Sequence, residues 1–173
     1  VNPNAAELPQ PFDRLIRWDA HWYTYVAETG YDHRSIVFFP AIIFLLRFGA
    51  AFGASSALAG LVLCNIFAFL SFCAMYALFR LDHPERTARR ALLVYAVMPT
   101  SFFLNSVYTE PLFLTFTFAG IYFARTGRWW LGGSFGAAAA LTRNLGGALA
   151  LALAYELWRQ RRRQKMPASL LLA

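Results

Sequence analysis

The chain has 173 residues, of which 58% are hydrophobic, 17% aromatic and only 14% charged, with a formal net charge of +7. Soluble domains carry about 25% charged residues. The composition therefore excludes a soluble globular domain, a disordered chain, a disulfide scaffold and a coiled-coil or collagen-like rod. What it leaves is an all-α, polytopic membrane helical bundle.

Residues 1–11 contain Pro3, Pro9 and Pro11 and read as an extended lead-in. Residues 12–29 read as an amphipathic helix lying in the membrane interface. Phe12, Leu15, Ile16, Trp22, Tyr23 and Val26 recur on one face, and Gly30 is a plausible terminator. Phe38-Phe39-Pro40 opens an apolar segment to about Gly53 that Arg47 interrupts. It is marginal as a span and reads as a second juxtamembrane or partly inserted helix. Residues 48–79 carry no charge, and Ser55 to Phe79 is the clearest transmembrane helix. Residues 89–104 form the next span, ending in a polar turn from Thr100 to Glu110. Pro111 suits the first turn of a helix that runs to Ala124. Residues 129–142 follow the Arg125–Arg128 loop, with Gly132 and Gly136 as a small-residue contact face. Residues 145–158 form the last complete helix, ended by Trp158 and a basic tail. The organisation is thus a juxtamembrane region over 1–35, a second one over 36–53, a bundle of about five transmembrane helices over 54–165, and the start of a further helix over 166–173.

The positive charge falls in three clusters. They are Arg80/Arg86/Arg89/Arg90, Arg125/Arg128 and Arg159/Arg161/Arg162/Arg163/Lys165. Each adjoins an apolar segment, as the positive-inside rule expects of cytoplasmic loops, where basic residues meet anionic membrane lipids. No basic groove interleaved with aromatics appears, so nucleic acid is excluded as a partner. With residues 1–35 outside and 36–53 not spanning, all three clusters, 11 of the 16 Lys and Arg, land inside, and six of the nine acids land outside. Cys64 and Cys73 would stand roughly 13 Å apart on one helix, too far for a disulfide.

Three groups of residues are candidates for chemistry. Arg17-Trp18-Asp19-Ala20-His21-Trp22-Tyr23 is the densest stretch, and Asp19 falls on the same helical stripe as Leu15, Ile16, Trp22 and Val26. A carboxylate on an apolar face is costly unless it has a partner or a task. It reads either as a general base set by partial desolvation and a nearby Arg or His, or as a structural partner of Arg17, His21 or another helix. Glu110 follows Tyr108 and Thr109 and is the only acid between Glu85 and Glu156. It reads as a functional carboxylate or as a first-turn acid favoured by the helix dipole. Arg143 is the only charge between Arg128 and Glu156. Its fork of donors and permanent charge suit a phosphate, and the alternative is an arginine that snorkels to the membrane interface. The histidines show no metal-ligand spacing, and no HExxH, CxxC, Gly-rich phosphate loop or GxSxG is present.

RWDAHWYTYVAETGY, SIVFFP, MPTSFFLNSVYTEPLFL and GRWWLGG…AAALTRNLG occur in this order. Together they resemble the bacterial members of the PIG-V-like mannosyltransferase family, related to GPI mannosyltransferase 2, within the GT-C superfamily. The resemblance implies a multi-span enzyme of the bacterial inner membrane. Such an enzyme takes its sugar from a polyprenyl-phosphate-linked donor on the extracytoplasmic face and inverts the anomeric centre. It implies Asp19 as the catalytic base, on juxtamembrane helices. Arg143, with Arg17, would bind the leaving phosphate, while Tyr108 and Glu110 would bind the acceptor or support a divalent cation. Trp18, His21 and Tyr23 complete the substrate-binding set. Ala41-Ile42-Ile43 stands where the family often has LYP, Asn144 where it often has Pro, and Thr109 where Ser is common. Family enzymes are much longer, so the chain is expected to be an N-terminal portion. The rival reading is a non-catalytic helical subunit of a larger membrane complex.

Overall fold

The computed structural model describes residues 12–165, with side chains described over residues 14–162. The expected lead-in over 1–11 and the further helix over 166–173 lie outside the described residues. All regular structure among the described residues is helical, as composition required.

A single 3₁₀ turn, Phe12–Leu15, precedes α1, which spans Asp19–Thr29. The amphipathic helix expected over 12–29 is therefore broken. Trp18 sits at φ 47 and ψ −116, a conformation a tryptophan adopts only at a cost of about 1–3 kcal/mol. The break shifts the helical phase, so Asp19 no longer shares a stripe with Leu15 and Ile16. It stands exposed in the first turn of α1, while Ile16, Ala20, Tyr23 and Val26 are buried. The apolar-face placement of Asp19 is corrected accordingly.

Helix α2 spans Pro40–Ala50, with the proline in its first turn. Its 11 residues reach about 16 Å at 1.5 Å per residue, well short of the ~30 Å hydrocarbon core. Ile42, Ile43 and Leu46 are buried on one face. Arg47 turns back instead, its Nε donating to Ala27 O at 2.9 Å and its Nη2 to Val26 O at 3.3 Å. It thereby gives Ala27 O at the end of α1 a partner and adds a second donor to Val26 O, which already accepts from Gly30 N–H at 3.0 Å.

Helix α3 spans Ser56–Phe79, with the Ser55 hydroxyl accepting from Leu58 N–H at its start. Among the described residues it alone is long and apolar enough to cross a membrane. Leu58, Val62, Ile66 and Phe69 recur along its exposed face, which is the expected surface of a helix meeting lipid or further helices.

The expected span over 89–104 differs. Helix α4 starts earlier, at Glu85, and stops at Val97. Met98 is extended at ψ 138, and Pro99–Leu104 winds as 3₁₀ helix. The cause is Pro99, which disfavours a helical residue before it and removes a donor.

Helix α5 (Glu110–Arg125) carries Pro111 in its first turn, and it makes its broadest contacts with α3 and α6. Thr115 Oγ1 donates to Phe67 O of α3 at 2.7 Å. Helix α6 spans Trp129–Ala140. A Cβ on its Gly132 would meet Ala124 N at 3.1 Å, and one on Gly136 would meet Leu153 at 2.9 Å, so the small-residue face is what lets α5 and α7 approach. Helix α7 spans Leu145–Lys165 and runs on through the basic tail instead of ending at Trp158. With 16 and 12 residues, α5 and α6 reach about 24 and 18 Å.

The bundle has two distinct ends. At one, Arg125 grips Asp82 with both guanidinium nitrogens, Nη2 to Oδ1 at 2.6 Å. There too, Gln160 Nε2 of α7 donates to Ala124 O at 2.9 Å. At the other end α1 and α2 pack over α3, Val107, Tyr108 and Leu112 in the main apolar core. Full burial of residues such as Val26, Ile42 and Leu46 is worth about 1.5–3 kcal/mol each against exposure to water.

Candidate active site

At the α1–α2 end lies a polar cleft of about 220 Å³, lined by Asp19, Tyr23, Val37, Phe38, Phe39, Thr109, Thr142, Arg143 and Asn144. Four structural units build it, one of them Thr109 at the start of α5. The first turn of α1 presents Asp19, and Tyr23 follows one turn later. The segment into α2 contributes Val37 to Phe39. It is tied down by the Tyr31 hydroxyl donating to Phe38 O at 2.9 Å and by Trp22 stacking on Phe38, centroids 5.7 Å apart. The α6–α7 turn contributes Thr142 to Asn144. Ala41 N–H donates to Leu141 O at 3.0 Å, joining that turn to α2. Thr142 Oγ1 donates to Ala139 O at 2.6 Å, and Asn144 Oδ1 accepts from Leu145 N–H at 2.8 Å, opening α7.

The cleft carries one carboxylate, Asp19, and one guanidinium, Arg143, from distant parts of the chain. Burial pushes the Tyr23 hydroxyl up to about 12, against the lowering effect of its hydrogen bond with Thr109. It therefore stays neutral at physiological pH and can donate or accept a proton in a hydrogen bond without titrating.

The other residues singled out from the sequence surround the cleft without lining it. Tyr108 is buried, and its hydroxyl donates to Arg17 O at 3.0 Å. That bond anchors the strained Arg17-Trp18 segment onto the loop before α5. Burial first, then the Asp19 and Glu110 charges, raise the Tyr108 hydroxyl above its ordinary value of 10.0. Arg17 is exposed, and Trp18, 68% exposed, projects from the surface beside Asp19. His21 is half-buried, with Nδ1 enclosed and without a hydrogen-bond partner. Glu110 Oε1 accepts from Arg143 Nη1 at 2.7 Å. Phe113, further along α5, lies with its ring centroid 6.0 Å from the Arg143 guanidinium carbon.

Val37, Phe38, Phe39, Thr109, Thr142 and Asn144 line the cleft but were not among the expected site residues, although they sit within or beside quoted motifs. Among the described residues no three of His, Cys, Asp and Glu gather as metal ligands. A divalent cation in the cleft would find Asp19 as its one anionic ligand on the wall.

Residues 5–158 match the family described as Mannosyltransferase (PIG-V). The chain is 32% identical over 144 residues to GPI alpha-1,6-mannosyltransferase 2 of Mus musculus, covering 76% of this chain and 29% of that protein. The Rattus norvegicus protein of the same name gives the same identity and coverage. GPI mannosyltransferase pigv-1 of Caenorhabditis elegans is 28% identical over 127 residues, covering 63% of this chain and 19% of that protein. The chain thus spans less than a third of the length of these curated relatives. No solved structure matches.

Proposed function

This chain belongs to the PIG-V mannosyltransferase family, and we propose that it forms the donor-side part of an integral membrane mannosyltransferase. Its sugar comes from a polyprenyl-phosphate-linked donor on the extracytoplasmic side. By its resemblance to bacterial members, it resides in a bacterial inner membrane. The observation that carries this reading is the convergence of Asp19 and Arg143 on one cleft.

Group transfer with inversion needs a base for the attacking hydroxyl and a cation for the leaving phosphate, on either side of the anomeric carbon. Asp19 takes the acceptor hydroxyl proton as that oxygen bonds to the anomeric carbon. The bond from this carbon to the phosphate oxygen breaks, and its electron pair leaves with the lipid phosphate. Arg143 offsets the charge on that phosphate. Tyr23, neutral at working pH, offers a hydroxyl to the sugar, and the exposed Trp18, with His21 and Arg17, borders the approach to Asp19. Tyr108 supports this segment from below through its bond to Arg17 O. The arrangement of charge along the chain favours placing the cleft outside and the Asp82–Arg125 end inside, with the helices after α3 crossing the membrane alongside it.

The test is mannosyl transfer by membranes holding the protein as its gene encodes it, supplied with labelled mannosyl polyprenyl phosphate or with labelled nucleotide-linked mannose. Transfer to a lipid-extractable acceptor from the polyprenyl donor alone is expected. Direct use of the nucleotide sugar would contradict the donor assignment. No transfer from either, with the protein folded, would favour the non-catalytic helical subunit.

A further inference from the structure

Glu110 is absent from the wall of the cleft, yet it holds the residue that brings positive charge there. Arg143 stands in the short turn between α6 and α7. A side chain of this length has many rotamers to lose on being held in one place. Two groups from the start of α5 restrict it: the Glu110 carboxylate, 2.7 Å from Nη1, and the Phe113 ring. The remaining guanidinium donors stay available for a ligand, since the fork carries five. Glu110 is itself fixed by its place beside Pro111 in the first turn of α5, where the helix dipole favours a carboxylate.

We infer that Glu110 is a positioning residue. It orients the Arg143 guanidinium toward the lipid phosphate and does not itself touch the substrate. The inference rests on the assignment of Arg143 to that phosphate. It differs from a substrate-contact role for Glu110, which would persist without Arg143. It differs equally from a purely structural ion pair, whose loss would lower melting temperature and leave phosphate affinity unchanged.

The decisive experiment is a double-mutant cycle on the binding of polyprenyl phosphate, without sugar, to the full-length protein in lipid nanodiscs. Wild type, Glu110→Ala, Arg143→Ala and the double variant are compared. Glu110→Gln is added because it keeps an oxygen acceptor and the side-chain size, should the alanine variant fold poorly. Glu110→Ala is expected to weaken binding about tenfold, in keeping with loss of a charge-assisted contact that orients the guanidinium. The double variant should bind no worse than Arg143→Ala, and Glu110→Gln should lie between wild type and Glu110→Ala. Wild-type affinity in both Glu110 variants would overturn the inference. So would a double variant weakened by the product of the single effects, or a wild type that does not bind polyprenyl phosphate. The transferase reading fails separately: a coupled cycle in a protein that transfers no mannose would leave Glu110 in its role and remove the enzyme.

Discussion

Arg47 is the only charge between Arg34 and Arg80, and its two hydrogen bonds run to the last turn of α1, 20 and 21 residues earlier in the chain. Replacing it with methionine keeps most of the apolar stem and removes both donors. Arg47→Met is expected to lower stability by about 1 kcal/mol, the net worth of such bonds. The check is the thermal midpoint in detergent, where an unchanged midpoint would contradict the capping role. That role was not legible in the sequence, because a cap supplied from another helix leaves no local pattern. Asp19 shows the opposite case. The residues around Asp19 drew attention to it, and it does line the cleft, but its exposed surroundings were not legible. Helical periodicity carried the stripe through Trp18, where the backbone turns away at φ 47, and so placed an exposed residue on a buried face. Thr142 and Asn144 were not expected in the site for another reason. Their neighbours in the cleft are distant in sequence, and in a short polar run between two apolar helices only the charged Arg143 stands out.

At the scale of helices, apolar runs and proline positions marked most elements, and the differences lie at ends and breaks. Pro99 was visible in the sequence, but its consequence, a helix that stops at Val97 and resumes as 3₁₀ turns, depends on the backbone before the proline. The continuation of α7 to Lys165 follows from good helix formers such as Arg, Gln and Lys in the tail. Some of these contact neighbours: Arg159 pairs with Glu156 and Gln160 reaches the end of α5. The clasp between α5 and the α3–α4 turn carries a pH prediction. The Arg125 guanidinium holds the Asp82 carboxyl below its ordinary value of 3.8. A carboxyl depressed in the folded state contributes stability above its unfolded value and loses it as pH falls through the folded one. The thermal midpoint should therefore fall on acidification below about pH 4. Asp82→Asn should flatten that part of the profile by already showing, at neutral pH, the lowered midpoint the wild type reaches only in acid, a small shift because the pair is solvent-accessible. An identical acid profile in wild type and Asp82→Asn would remove the clasp from the account.

The whole molecule is polarised. One end carries the basic clusters and the Asp82–Arg125 clasp, and the other carries α1, α2 and the cleft. Among the described residues, only α3 has the length and apolar character of a span by itself. The shorter α5 and α6 pack tightly through Gly120, Gly132 and Gly136, and the exposed apolar faces of α3 and α7 offer surface for lipid or for the rest of a longer protein. The central claim is that the cleft at the α1 end performs glycosyl transfer with Asp19 as its base. The most direct measurement is the rate of mannosyl transfer from labelled mannosyl polyprenyl phosphate by membranes holding the full-length protein, compared with Asp19→Asn at equal folded amount. The account predicts a loss of at least about a hundredfold in kcat, the scale of a missing general base, with polyprenyl phosphate binding retained. Transfer at the wild-type rate in Asp19→Asn would contradict it.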